Sequence, residues 1–310
     1  EEGDEGAGGG FAYALGSGDE DEEEADDEDG ANDDDGIGGG DDAEEDAEGD
    51  SSGWQQSDAG GGGAASAGER LRAGAESLLT SWLCSMPDEV GIALLALLPP
   101  SACTAADPLD AQIDREASYT ALGLGGWQLQ HHLSYAQLLT AILNEEAALK
   151  ASAPPPMLAG ALQARLCWLV SCWWAFGSGG DPAEDERLCD ASYSFLVRQL
   201  AASDLAVRLQ AAHVLSSLVR AAGREDVAQL VPHATQALVG LASILGACTA
   251  DDGCLWTLRA MGAFLRRVGL PAEARAGVVP VLEAVWQRAE REQRGLLLRG
   301  MRAVAVAVRA

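Results

Sequence analysis

Between residues 109 and 310, apolar side chains recur at steps of three and four, the interval that places them on one face of an α-helix. Leu162, Leu166, Leu169, Trp173 and Phe176 make one such stripe, and Val227, Val231, Ala234, Leu238, Leu241 and Leu245 make another. Cys254, Leu258, Met261, Leu265 and Val268 form a third, and Leu297, Met301, Val304 and Val308 carry the pattern onward. No comparable stretch alternates with period two, so the expectation is an all-α chain without a sheet. First helices are expected to start near Leu109, Leu158, Ser203, Asp252 and Arg291, each followed by a second helix. That is a step of about 40 to 50 residues, the period of stacked helical pairs. A pair cannot cover its apolar face alone and must lie against its neighbours.

The breaks between stripes carry turn and cap chemistry. Gly177-Ser178-Gly179-Gly180-Asp181-Pro182 cannot continue a helix, Ala222-Gly223 ends another, and Gly269-Leu270-Pro271 joins a stop to a start. Ser203 and Asp204 can each accept hydrogen bonds from the free amides of a helix that follows them.

Charge changes the picture at one end only. The chain of 310 residues carries 49 Asp and Glu against 20 Lys and Arg, a net charge of -29. Of those acidic residues, 25 precede residue 59, and no basic residue occurs before Arg70. The rest holds 24 acidic against 20 basic side chains and is close to neutral. Residues 1-68 therefore read as a disordered acidic Gly/Asp/Glu-rich segment, too poor in apolar surface to offset its ordering entropy, and residues 69-310 as the helical part. The densest acidic run is Asp19, Glu20, Asp21, Glu22, Glu23, Glu24, Asp26, Asp27, Glu28 and Asp29. It reads either as a solvated spacer or as a contact for basic partners such as localisation segments, histones or ribosomal proteins. The same charge repels a phosphate backbone, so no nucleic-acid partner is expected. Lys150 is the sole lysine, and Arg266-Arg267 is too small a patch to track phosphates.

No uninterrupted apolar run reaches the roughly 18 to 20 residues of a membrane span, Ala237 to Cys248 being among the longest, so no membrane insertion is expected. The chain opens on Glu1 and stops within a helical stripe at Val308-Arg309-Ala310, which suggests a piece of a longer protein. Seven cysteines (Cys84, Cys103, Cys167, Cys172, Cys189, Cys248 and Cys254) lack metal-ligand spacing and read as reduced, mostly buried hydrophobes of a cytosolic or nuclear protein.

Candidate chemistry is sparse. His131-His132 has no Asp or Glu in a metal-binding arrangement along the chain, and His213 and His233 read as partners within helix packing. Gly123-Leu124-Gly125-Gly126 follows no strand, which favours close packing over a phosphate cradle. Trp173 belongs to a stripe, whereas Trp168 and Trp174 lie off it and either fill a groove or meet a partner. No nucleophile or acid-base pair stands in a defensible setting, so no enzyme, cofactor or metal is expected.

Ser203-Asp204-Leu205-Ala206-Val207-Arg208-Leu209-Gln210-Ala211-Ala212 resembles the first-helix signature of HEAT repeats. In that signature the Asp and the Arg, here Asp204 and Arg208, form polar ladders between stacked repeats. Asp114 to Leu124, then Ala164 to Trp174, then the Asp-Leu-Ala-Val-Arg stretch are similar in order and spacing to the central repeats of the importin-β superfamily, most of all its importin-eleven branch. The resemblance runs from about residue 70 to 310. It implies a right-handed superhelical solenoid of HEAT-type pairs, about five with a leading partial repeat. It also implies a nuclear transport receptor that carries protein cargo under control of the Ran GTPase in its GTP form. Such a receptor meets nucleoporins at the nuclear envelope and shuttles between nucleus and cytoplasm. The family's main Ran-binding helices lie in amino-terminal repeats, so no Ran contact transfers to a residue of this chain. The rival expectation is a HEAT scaffold or chaperone-like adaptor that holds basic proteins without transporting them.

Overall fold

The computed structural model describes residues 66–98, 101–177, 181–222, 227–248 and 251–288, with isolated positions 294, 298 and 302. Every regular element among the described residues is helical. The acidic run Asp19 to Asp29, the expected helix at Arg291 and the stripe from Leu297 to Val308 lie outside them.

Helix α1 spans Ala67–Ser85 and α2 Pro87–Ala96. Ser66, two residues inside the end of the segment expected to be disordered, closes a capping box with Glu69 at the head of α1, and their reciprocal bonds satisfy amides that the first turn leaves open. Helix α3 follows at Leu109–Leu124, then the single turn α4 at Gly126–Leu129 and α5 at Tyr135–Ala151, the last headed by a Ser134/Gln137 capping box. Helix α6 runs Ala159–Trp173 and tightens into a 3-10 turn at Trp174–Phe176. Gly177 ends that turn at φ 55°, a left-handed backbone that a side chain would strain. Asp181 caps α7, Pro182–Gln199, with Pro182 at its first position. Helix α8 is Leu205–Ala221, α9 Val227–Ala247, α10 Asp251–Val268 and α11 Ala272–Arg288. Gly269, at φ 80°, makes the turn between the last two. First-helix starts at Leu109, Ala159, Leu205 and Asp251 fall within two residues of the positions read from periodicity.

Packing sorts these helices into two rows. Helices α1, α3, α6, α8 and α10 each lie against the next in one row, and α5, α7, α9 and α11 do so in the other. The rows interlock because α6, α8 and α10 each also touch second-row neighbours. Within a row the helices are parallel, as cross-links at successive heights show. Between α3 and α6, Gln112 Oε1 accepts from Leu158 N, Glu116 pairs with Arg165, and Trp173 Nε1 donates to the Leu122 carbonyl. Between α8 and α10, Leu209 meets Gly253, His213 faces Trp256 at 5.4 Å, and Arg267 donates to the Arg220 carbonyl. The second row repeats this with Tyr135 to Ser192 at 2.6 Å, Glu146 to Arg198 at 2.7 Å and Asp190 to His233 at 2.9 Å.

The apolar stripes meet between the rows in one continuous cluster that runs from Leu83 to Val285. Leu162, Leu166, Leu169 and Trp173 are almost wholly buried, as are Leu258, Met261 and Leu265. Each such side chain contributes about 1.5 to 3 kcal/mol on leaving water, which makes this seam the main stabilising term. Val227, Cys254 and Val268, at the ends of their stripes, are only partly buried, and two further members depart from the expected face. Phe176 is only partly buried, because the helix has already tightened at Trp174. Val231 is 55% exposed, because the buried side of α9 centres on Leu230, Ala234, Ala237, Leu238 and Leu241 and leaves Val231 at its rim.

Helix α9 also corrects the membrane count. Its 21 residues contain no Asp, Glu, Lys or Arg and are long and apolar enough, averaged over the helix, to cross a membrane, although no unbroken run is. Half of its most apolar window is buried against neighbouring helices.

Candidate protein-interaction surface

The joint at residues 200–208 shows how one helical pair is attached to the next. Asp204 adopts extended backbone at the head of α8, and its Oδ1 accepts from Ala206 N at 2.8 Å, satisfying an amide that has no partner within the helix. Its other oxygen lies over Gly160 in the first turn of α6, where a Cβ would collide with it. Arg208 stands one turn further on. Its Nε donates to the Leu200 carbonyl at 3.2 Å and its Nη2 to Ser243 Oγ on α9 at 3.0 Å. Asp204 thus reaches the preceding pair at Gly160 and Arg208 reaches it at Leu200, while Ser243 belongs to Arg208's own pair; the acceptors of Arg208 are a carbonyl and a hydroxyl rather than a carboxylate.

Carboxylates do serve as cross-links elsewhere, at positions that sequence spacing alone does not single out. Glu146, almost wholly buried on α5, accepts from Lys150 on its own helix and from Arg198 and Gln199 on α7. Burial works to raise its pKa, but the hydrogen bonds from Arg198 and Lys150 outweigh burial and hold the carboxyl below its ordinary value of 4.5. Glu145 accepts the Cys103 amide on both oxygens and pairs with Arg115, whose side chain is also buried. Glu116 holds Arg165, whose guanidinium lies 4.7 Å above the Trp168 ring. Glu146 with Arg198 and Glu116 with Arg165 are each about one repeat apart along the chain, but Glu145 with Arg115 is closer, so no single separation marks these partners in the sequence. Only the fold shows which acid meets which base.

The aromatic and glycine positions resolve in the same way. Trp168 fills the space over Gly123, and Trp174 lies against Tyr193 at 5.4 Å. Gly126 lets α4 approach Trp173 and Phe176. His132 faces Asp88 of α2 at 3.0 Å, a partner invisible to any local spacing rule. Among the described residues no group of His, Cys, Asp and Glu could hold a metal ion. Burial pushes the Cys103 and Cys167 thiols up and Cys172 up to about 11, so these sulfurs stay protonated at neutral pH.

What remains open to a partner is surface. Along the heads of the first-row helices, Leu109 and Ile113 of α3, Met157 before α6 and Leu205 of α8 are exposed by 38% to 78%. The outer side of the second row exposes Val231 and Val239 on α9 and Val279 on α11, on a stretch where α9 bears no charge. Helix α1 presents Leu71, Leu78 and Trp82 on one face. Row after row of apolar positions at helix spacing suits an extended or helical polypeptide better than a small molecule.

No protein-family model, curated protein or solved structure matches this chain.

Proposed function

We propose that residues 69–310 form a right-handed superhelical solenoid of HEAT-type pairs and serve as the central part of an importin-like nuclear transport receptor. The observation that carries this reading is the parallel two-row stack whose cross-links recur about one repeat apart, with Asp204 and Arg208 at the joint where the HEAT signature puts its polar pair. Stacks of this kind flex by small rotations at each joint, and a partner that prefers one curvature shifts the whole array. Cargo would lie across the exposed apolar positions, and the Ran GTPase in its GTP form would release it in the nucleus by favouring another curvature. Nucleoporins would be met in transit, and the protein would shuttle between nucleus and cytoplasm.

A second reading is carried by the 25 acidic residues before position 59. A HEAT scaffold or adaptor could use that charge to hold basic proteins without moving them. One experiment separates the two. Partners captured on the intact protein are challenged with Ran loaded with a non-hydrolysable GTP analogue. Release supports the receptor; retention at every Ran concentration supports the scaffold and overturns transport.

A further inference from the structure

The junction between α9 and α10 sets Cys254 back against Cys248, a neighbourhood that sequence spacing gave no reason to expect. Cys248 follows the last turn of α9 and is almost wholly buried. Cys254 sits in the first turn of α10 and is partly exposed. The Cys254 thiol points back at the Cys248 carbonyl, with Sγ to oxygen at 3.6 Å. The Cys248 Sγ in turn lies against Gly253, so close that a Cβ there would stand 2.5 Å from the sulfur. Glycine at 253 therefore makes the room that lets one sulfur lie beside the residue preceding the other. Both cysteines are reduced.

We propose that Cys248 and Cys254 are a reversible thiol–disulfide pair that staples the α9–α10 junction when the surroundings become oxidising. The oxidant is a small-molecule disulfide of the glutathione class. Exposure decides the order of events. The Cys254 thiolate attacks one sulfur of the oxidant, forming a mixed disulfide and expelling the first reduced glutathione thiolate. The Cys248 thiolate then attacks Cys254 Sγ, forming the intrachain bond and expelling the second. Two protein thiols and one glutathione disulfide become one protein disulfide and two reduced glutathiones, and the protons lost by the protein are taken up by the leaving thiolates. The ring closed is short, so its effect is local: it holds the first turn of α10 against the end of α9 and stiffens one joint of the stack.

The test uses the full chain with Cys84→Ser, which removes the exposed thiol of α1. The protein is incubated with oxidised glutathione, quenched by alkylation and mapped by mass spectrometry. The peptide holding both cysteines should lose two hydrogens and take up no alkylating group, and amide exchange in the first turn of α10 should slow. Adding Cys248→Ser should arrest the reaction at a glutathione adduct on Cys254, and adding Cys254→Ser should leave Cys248 as a thiol. Persistence of the adduct on Cys254 with Cys248 present, a bond from Cys254 to any other cysteine, or full alkylation of both thiols would each overturn the pair.

Discussion

Gly123 and Trp168 show how far a single position can decide a helix contact. The indole ring of Trp168 occupies the place a side chain at 123 would take, and Arg165 lies over that ring while paired with Glu116. Gly123→Ala should therefore force the ring aside and cost about 1 to 3 kcal/mol of stability, read as a drop in the denaturation midpoint at unchanged slope. Glu146 makes the matching point for charge. Its folded pKa is depressed, so the stability it contributes is complete above the ordinary carboxylate range and is lost as pH falls through the folded value. Glu146→Gln should accordingly be less stable than the parent at neutral pH, and the gap between them should shrink on acidification to about pH 3. Urea titrations at several pH values measure this; a gap that stays constant would mean that the carboxylate does not titrate in that window.

At the scale of elements, caps and glycines were legible because their chemistry is local. Asp204 could be recognised as a cap from the helix that follows it, and its bond to Ala206 N is the expected one. Asp204→Ala should cost about 1 kcal/mol and fray the head of α8 in hydrogen exchange. Asp204→Asn keeps an acceptor and should retain most of that stability. Equal losses in the two variants would instead place the value of Asp204 in its charge. The single turn α4 and the 3-10 turn at Trp174 escaped the periodicity because elements this short never complete a stripe. The exposed Val231 escaped it for another reason: a step of three or four names a face of the helix, and only the neighbours of α9 decide how wide the buried part of that face is.

For the whole molecule, charge and core are carried by different stretches. Among the described residues the apolar seam between the rows begins at Leu83, whereas 25 of the 49 acidic residues precede position 59. Deleting residues 1 to 58 should thus leave helicity and the melting transition unchanged while weakening association with basic peptides at low salt, the regime in which exposed charges act furthest. Circular dichroism and binding isotherms at two salt concentrations check both halves; loss of cooperative unfolding would show that the acidic stretch supports the stack. Helical class, repeat period and the starts of four first helices follow from the sequence itself, since the 3.6-residue turn and the capping groups act within a few residues of one another. The partners of Glu145, Glu146, His132, Arg208 and Cys254, and the choice of which apolar positions stay in water, belong to the tertiary structure. They depend on how neighbouring helices are set against one another, and no spacing rule within a single helix encodes that.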